Sequence, residues 1–246
     1  MRIRDLEFNL RELAGSMGDF GTLFPFAIGY FAVNGMNPAG LLVMMGLANI
    51  ITGIVYRLPL PIEPKKMIGV VAISQEWHPS LVYATGFITG VIWLLLAFSG
   101  LIRKIASITP RSVVRGIQVA LGILLAIEGF KMISTGWVLG VVSIVIVLVL
   151  RQSRYAPAAI VLMVVGTAVI GFRGEFPGNV DVGFTLPPLT TFSLDEVWKG
   201  LYLAGFAQIA LTTSNAVIAP SALIKQYWSD KPVSEEKLAL NTGIMN

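Results

Sequence analysis

The chain has 246 residues, of which 55% are hydrophobic and 13% charged, with a formal net charge of +4 and no cysteine. A soluble domain carries about 25% charged residues, and the mean hydropathy here is +0.76, so the composition excludes an ordinary water-soluble fold and points to an all-helical, polytopic membrane protein in a lipid bilayer. The missing cysteines exclude disulfides and thiolate metal sites, the single His78 excludes a histidine cluster, and no P-loop or dinucleotide-binding glycine pattern is present, so neither a metal nor a cofactor is expected.

Residues 1–15 come first. Ile3, Leu6, Leu10 and Leu13 fall at helical spacing opposite charged positions, which predicts a helix lying on the membrane surface. Arg2, Arg4, Asp5, Glu7, Arg11 and Glu12 interrupt any apolar core there, so no secretory signal is expected. Eight apolar spans follow, at about 19–34, 39–57, 62–76, 81–102, 113–133, 137–150, 156–172 and 197–220. The first opens with Gly18-Asp19-Phe20-Gly21-Thr22 and is expected to break at Pro25. The third is short and begins with Pro59-Leu60-Pro61-Ile62-Glu63-Pro64-Lys65-Lys66. Short spans interrupted by Gly and Pro mark the binding region of a transporter, because broken helices leave backbone N–H groups free inside the membrane.

Residues 173–196, with Pro177, Gly178, Pro187 and Pro188, read as an external linker between two structural halves, 16–172 and 197–246. Lys and Arg set the orientation. With the N-terminus cytoplasmic, the inner side collects Arg57, Arg103, Lys104, Arg111, Arg115, Arg151, Arg154 and others, and the outer side only Lys131, Arg173 and Lys199. Those basic residues lie in short loops between apolar spans, which argues against a nucleic-acid partner.

Pro64 suits the first position of a half-helix, where its missing N–H costs nothing. The N–H groups of Lys65, Lys66 and Met67 would then point out of a helix end that favours an anion. Lys65 and Lys66 add charge there, or else snorkel to the inner interface. Glu63 pairs with one of these lysines or carries a proton. Asp19 caps the first span or lines an ion path. Gln208, Thr212, Thr213, Ser214 and Asn215 form the most polar patch in any span, and at helical spacing Gln208, Thr212 and Asn215 share a face. Such neutral donors suit an oxyanion or a polar heterocycle, and the patch exceeds what helix packing needs. Glu128, deep in the fifth span, is a coupling candidate or one half of a rim ion pair with Lys131. The spacing Gly86-x-x-x-Gly90 is assigned to packing alone.

The runs Gly18 to Thr22, Pro59 to Ser74, Thr212 to Ile218 and Leu238 to Gly243 resemble the molybdate transporters related to the sulfate permeases. The resemblance implies the fold of the sulfate and uracil permeases, fourteen spans in two inverted halves of seven. A core that includes spans 1–4 would carry substrate against a gate that includes spans 5–7. It implies a substrate site at Pro64, Lys65, Lys66 and Met67, beside an eighth span bearing Gln208, Thr212 and Asn215. Where the family has Gln-Pro-Met-Lys, this chain has Glu63-Pro64-Lys65-Lys66. The expectation is a secondary transporter of a tetrahedral oxyanion in the plasma membrane, molybdate first and sulfate second. Asp19, Glu63 and Glu128 would be proton-coupling candidates, and a homodimer is an open assembly. A nucleobase or organic-anion permease of the same fold, or a non-transporting subunit, is the alternative. The family's tenth-span motif does not occur before Asn246, so the chain is expected to be part of a longer protein.

Overall fold

The computed structural model describes every residue except 1, 4, 5, 8, 109, 111, 113, 114, 117, 118, 120–122, 124, 125, 128, 131, 132, 135, 152, 154–157 and 175–185. Glu128 and Lys131 lie outside the described residues, as do much of the fifth expected span and much of the linker. Contacts divide the chain into two units, Met1–Thr22 with Gly122–Thr185, and Leu23–Leu121 with Leu186–Asn246.

In the first unit, β1 (Arg2–Ile3) and β2 (Leu6–Glu7) pair antiparallel, Arg2 opposite Glu7 and Ile3 opposite Leu6. The surface helix expected over residues 2–14 is therefore confined to α1 (Leu10–Ser16). It starts late because Asn9 Oδ1 accepts the Glu12 N–H at 2.9 Å, an N-cap that fixes where the helix begins. Later in this unit come α7 (Trp137–Leu150) and α8 (Ala158–Phe172), which pack on each other.

The second unit contains α2 (Phe20–Ala32) from Leu23 onward, α3 (Pro38–Tyr56), α4 (Lys66–Ser74), α5 (Pro79–Phe98), α6 (Leu101–Ile108), α9 (Leu194–Tyr227) and α10 (Glu235–Ile244). Local chemistry sets most boundaries. Asn37 caps α3 by accepting the Gly40 N–H at 3.1 Å, Pro38 follows at its first position, and Arg57 ends it in the left-handed region at φ 49°. Ser193 and Glu196 form a reciprocal capping box at the start of α9.

Among the described residues, α3, α5 and α9 are long and apolar enough to cross a membrane, and α2, α7 and part of α8 are shorter apolar helices. Among the described residues the chain is thus helical apart from the β1–β2 pair, with helices that suit a membrane. α3 leaves Leu47, Ile50, Ile54 and Val55 exposed, a surface that lipid satisfies and water does not. The break expected at Pro25 is absent. α2 runs through Pro25, whose missing N–H would have reached Gly21 near the start of the helix, where few bonds are at stake. α9 is continuous to Tyr227 despite Pro220. Its backbone widens into π turns at Leu201–Gly205 and Thr213–Ile218, and the second ends just before the Ala219-Pro220 pair.

α5 is the hub of this unit, packed by the first turns of α9 and by α10. Trp93, Ile102, Val217, Ile224, Leu238 and Ala239 form its buried core. Backbones come close where glycines allow it. A Cβ on Gly200 would run into Thr85 Oγ1 and sit 2.9 Å from Thr85 Cβ, and one on Gly243 would lie 2.9 Å from the Leu94 nitrogen. Gly86 and Gly90 do serve packing. They face the end of α10, and Asn246 Nδ2 donates to the Gly86 carbonyl at 2.7 Å. Trp77 is buried at 5% exposure, and His78 caps α5.

Gly200→Ala should cost about 1–3 kcal/mol by overpacking, seen as a lower melting temperature in detergent. Thr85→Ala in the same chain should recover part of the loss, and an unchanged melting temperature for G200A would contradict the close approach. A second expectation concerns acid. Glu236 pairs with Arg103 at 2.6 Å. A hydrogen bond from its own backbone N–H, helped by Ser234 and Arg103 and opposed by partial burial, holds its carboxyl below the usual range. Its contribution is present above the unfolded carboxylate value of about 4.3 and lost as pH falls through the lower folded value. Glu236→Gln should flatten that acid limb in a pH series of melting curves.

Candidate functional site

The approach to α4, Leu60 to Lys65, carries neither helix nor strand, and Lys65 at its end has extended angles. Pro59, Pro61 and Pro64 restrict their own φ and push each preceding residue away from the helical region. Asn49, inside apolar α3, holds this segment. Its Oδ1 accepts the Ile62 N–H at 2.8 Å, and its Nδ2 donates to the Ile62 carbonyl at 3.0 Å and to the Met45 carbonyl at 2.9 Å. One amide side chain thus gives Ile62 the pair of bonds a neighbouring strand would give, which a backbone in hydrocarbon requires.

α4 begins at Lys66. Lys65 is its N-cap, with extended angles φ −69°, ψ 99° and no side-chain capping bond. Pro64 is therefore not the first helical residue but sits in the approach, two positions earlier. With nine residues α4 is about 13 Å long, against a hydrocarbon core of about 30 Å. The third expected span is a half-helix. Its far end is tied by Asn34, which donates from Nδ2 to the Ala72 and Trp77 carbonyls, each at 2.8 Å. α2 presses against its flank, where a Cβ on Gly69 would meet Phe26 Cδ1 at 2.6 Å and the Tyr30 hydroxyl at 3.1 Å.

The N-terminal amides of α4 meet α9. Gln208 Oε1 accepts the Met67 N–H at 2.9 Å and the Ile68 N–H at 3.4 Å, and Gln208 Nε2 donates to Thr212 Oγ1 at 2.7 Å. Gln208 is 3% and Thr212 4% exposed, so this chain of bonds is shielded from solvent. The sequence placed Met67, Gln208 and Thr212 in one site, and the structure brings them together. Asn215 is half-buried and makes no hydrogen bond to this cluster. It lies in the π turn Thr213–Ile218, where the wider spiral rotates residues away from the face that α-helical spacing predicts.

Lys66 Nζ sits 2.7 Å from Glu63 Oε2, with both side chains mostly covered. This ion pair spans the junction between the approach and the helix. Lys65 is half-buried and makes no ion pair among the described residues. The local charge is two ammonium groups against one carboxylate, at a helix end that is itself partly positive. Asp19 precedes α2, and its carbonyl accepts the Thr22 N–H at 3.0 Å; it belongs to the other unit. Sequence reasoning missed Asn34 and Asn49, although each is a lone amide in or beside an apolar helix, and such groups need partners in a membrane.

Asn49→Leu keeps the volume and removes the clamp on Ile62. The chain lacks cysteine, so a cysteine at exposed Pro61 is a clean reporter. Its reaction with a maleimide should quicken by about ten-fold in the N49L background, the equivalent of roughly one net hydrogen bond lost. Equal rates would count against the clamp.

The family model described as "Molybdate transporter of MFS superfamily" matches residues 11–125. Molybdate transporter 1 of Arabidopsis thaliana is 26% identical over 96% of this chain and 63% of that protein. Molybdate transporter 2 of the same plant is 25% identical over 96% of this chain and 62% of its own length. Molybdate transporter 1 of Chlamydomonas reinhardtii is 35% identical over 51% of this chain and 26% of that protein. The chain thus spans less than two thirds of the length of these relatives. No solved structure matches it. The matched stretch takes in the approach to α4, α4 and its two lysines, and the chain is similar to molybdate transporters, as the resemblance read in the sequence has it.

Proposed function

We propose that this chain forms part of a secondary active transporter that moves a tetrahedral oxyanion across the plasma membrane, molybdate first and sulfate second, with the N-terminus cytoplasmic. The observation that carries this reading is the half-helix α4. It starts in shielded surroundings beside Lys65 and Lys66, and it presents N–H groups to a neutral amide and not to a carboxylate. A helix end of this kind offers aligned amides and positive charge to an anion, and discontinuous helices carry that role in transporters. The relatives' names support molybdate as the anion.

Lys66 and Lys65 supply charge, the amides of Lys66 and Met67 supply direction, and Thr212 and Asn215 stand along α9 as neutral groups. Pro64 stiffens the approach. Transport proceeds as the element that carries α4 moves against its scaffold. A half-helix entered through a proline-rich segment supports the two-halves-of-seven arrangement, although the family description names a superfamily whose halves carry six helices. Proton coupling through Asp19, Glu63 or Glu128, and a homodimer, remain part of this proposal.

The test is uptake of labelled molybdate by cells expressing the protein. Wild type should accumulate molybdate, excess sulfate should suppress uptake, and uracil should not. Lys66→Ala should lower uptake at least about ten-fold, the scale of one charge-assisted hydrogen bond. Uptake unchanged in K66A removes Lys66 from the site, and suppression by uracil but not sulfate replaces the oxyanion with a nucleobase.

A further inference from the structure

Gln208 occupies a position that an anion would want. Its Oε1 takes the N–H groups of Met67 and Ile68, at 2.9 and 3.4 Å, the amides that the helix end offers to an oxyanion oxygen. A carbonyl oxygen and an oxyanion cannot both hold the same two donors. We propose that Gln208 is an internal ligand of α4, a neutral stand-in that an incoming oxyanion displaces, and that this competition makes the site select charged solutes over neutral ones. The proposal rests on the oxyanion reading above.

Three features support it. First, the stand-in is held but not locked. Among the described residues its only other bond joins Nε2 to Thr212 Oγ1, one turn along the same helix, so a side-chain rotation frees both amides without moving α9. Secondly, Gln208 lies in the short α-helical stretch Phe206–Thr212, between the π turns Leu201–Gly205 and Thr213–Ile218. π turns break the regular backbone ladder and are frequent at functional sites. Thirdly, the charges beside the amides are of no use to an amide oxygen. Lys65 makes no ion pair among the described residues, and Lys66 shares one carboxylate. A dianion gains from both cations and from charge-assisted bonds about twice as strong as neutral ones. A neutral solute gains neither, and exchanging it for Gln208 would trade equal bonds. The amide also keeps the helix end satisfied while the site is empty, so the apo state does not carry bare N–H groups in a dry environment.

This assignment differs from a direct-ligand role for Gln208, and the two predict opposite results for one substitution. Gln208→Met keeps the volume and removes the acceptor. Gln208→Glu places a carboxylate on the same amides, where a like-charged solute cannot displace it. The protein is purified in detergent and titrated with sodium molybdate alone, following the rise in melting temperature. Q208M should reach half-saturation at a concentration several-fold below wild type. Q208E should need at least about ten-fold more molybdate, the penalty of displacing a charge-assisted contact. A Q208M half-saturation above wild type would make Gln208 a direct ligand and overturn the proposal, leaving the oxyanion site intact. If Q208M does not fold, Q208E decides, because a carboxylate at a helix N-terminus is stabilising; molybdate binding by Q208E equal to wild type overturns the proposal. If none of the three proteins responds to molybdate, the oxyanion reading fails and the proposal with it.

Discussion

A helix that starts among apolar side chains must have its first N–H groups satisfied, because neither water nor lipid tails will do it. The second unit of this chain is arranged around that constraint at α4. One amide side chain meets it directly, and two more hold the segment on either side. Asn49 holds the entry through Ile62, Gln208 takes the N–H groups of Met67 and Ile68, and Asn34 binds the carbonyls of Ala72 and Trp77 at the far end. Each comes from a different part of the chain, so a nine-residue helix is held by groups far from it in sequence. Such polar contacts are individually modest, but leaving any of these buried groups unpaired costs more than a bond returns.

The surroundings of α4 are built by close approach and not by bulky interdigitation alone. In lipid there is no hydrophobic drive between helices, so small residues that let backbones meet are favoured. Gly69 admits Phe26 and Tyr30, Gly200 admits Thr85, and Gly243 admits Leu94. These contacts knit α2 to α4, and α9 and α10 to α5. The outward faces are apolar instead, as on α3, whose exposed leucines and isoleucines would be a liability in water.

Charge near α4 is arranged with restraint. Lys66 and Glu63 neutralise each other at 2.7 Å, which lets two ionic groups sit mostly covered where one would not be tolerated. Lys65 and the partial charge of the helix end leave the local balance positive. Glu63 and Lys65 bring one charge of each sign to the approach beside Lys66.

Much of this protein was legible in its sequence. Low charge and long apolar runs dictate helices in a membrane, because only a helix or a closed barrel satisfies its own backbone there. Asn37-Pro38, His78-Pro79 and Ser193 with Glu196 mark helix starts by chemistry that acts over three or four residues, and the starts fall there. The run Pro59 to Lys66 announced an interrupted span for the same local reason. The exceptions depend on partners that spacing alone does not reveal. α4 starts at Lys66 and not at Pro64, Pro25 does not break its helix, and Asn215 does not join Gln208 and Thr212. Spacing at 3.6 residues per turn assigns faces only while the helix stays α, and the π turn at Thr213 ends that condition. Sequence determined which residues are polar, apolar or stiff; tertiary structure decided which amide reaches which backbone group, because hydrogen bonds from Asn49, Gln208 and Asn34 bridge separations of up to 141 residues that no local pattern encodes.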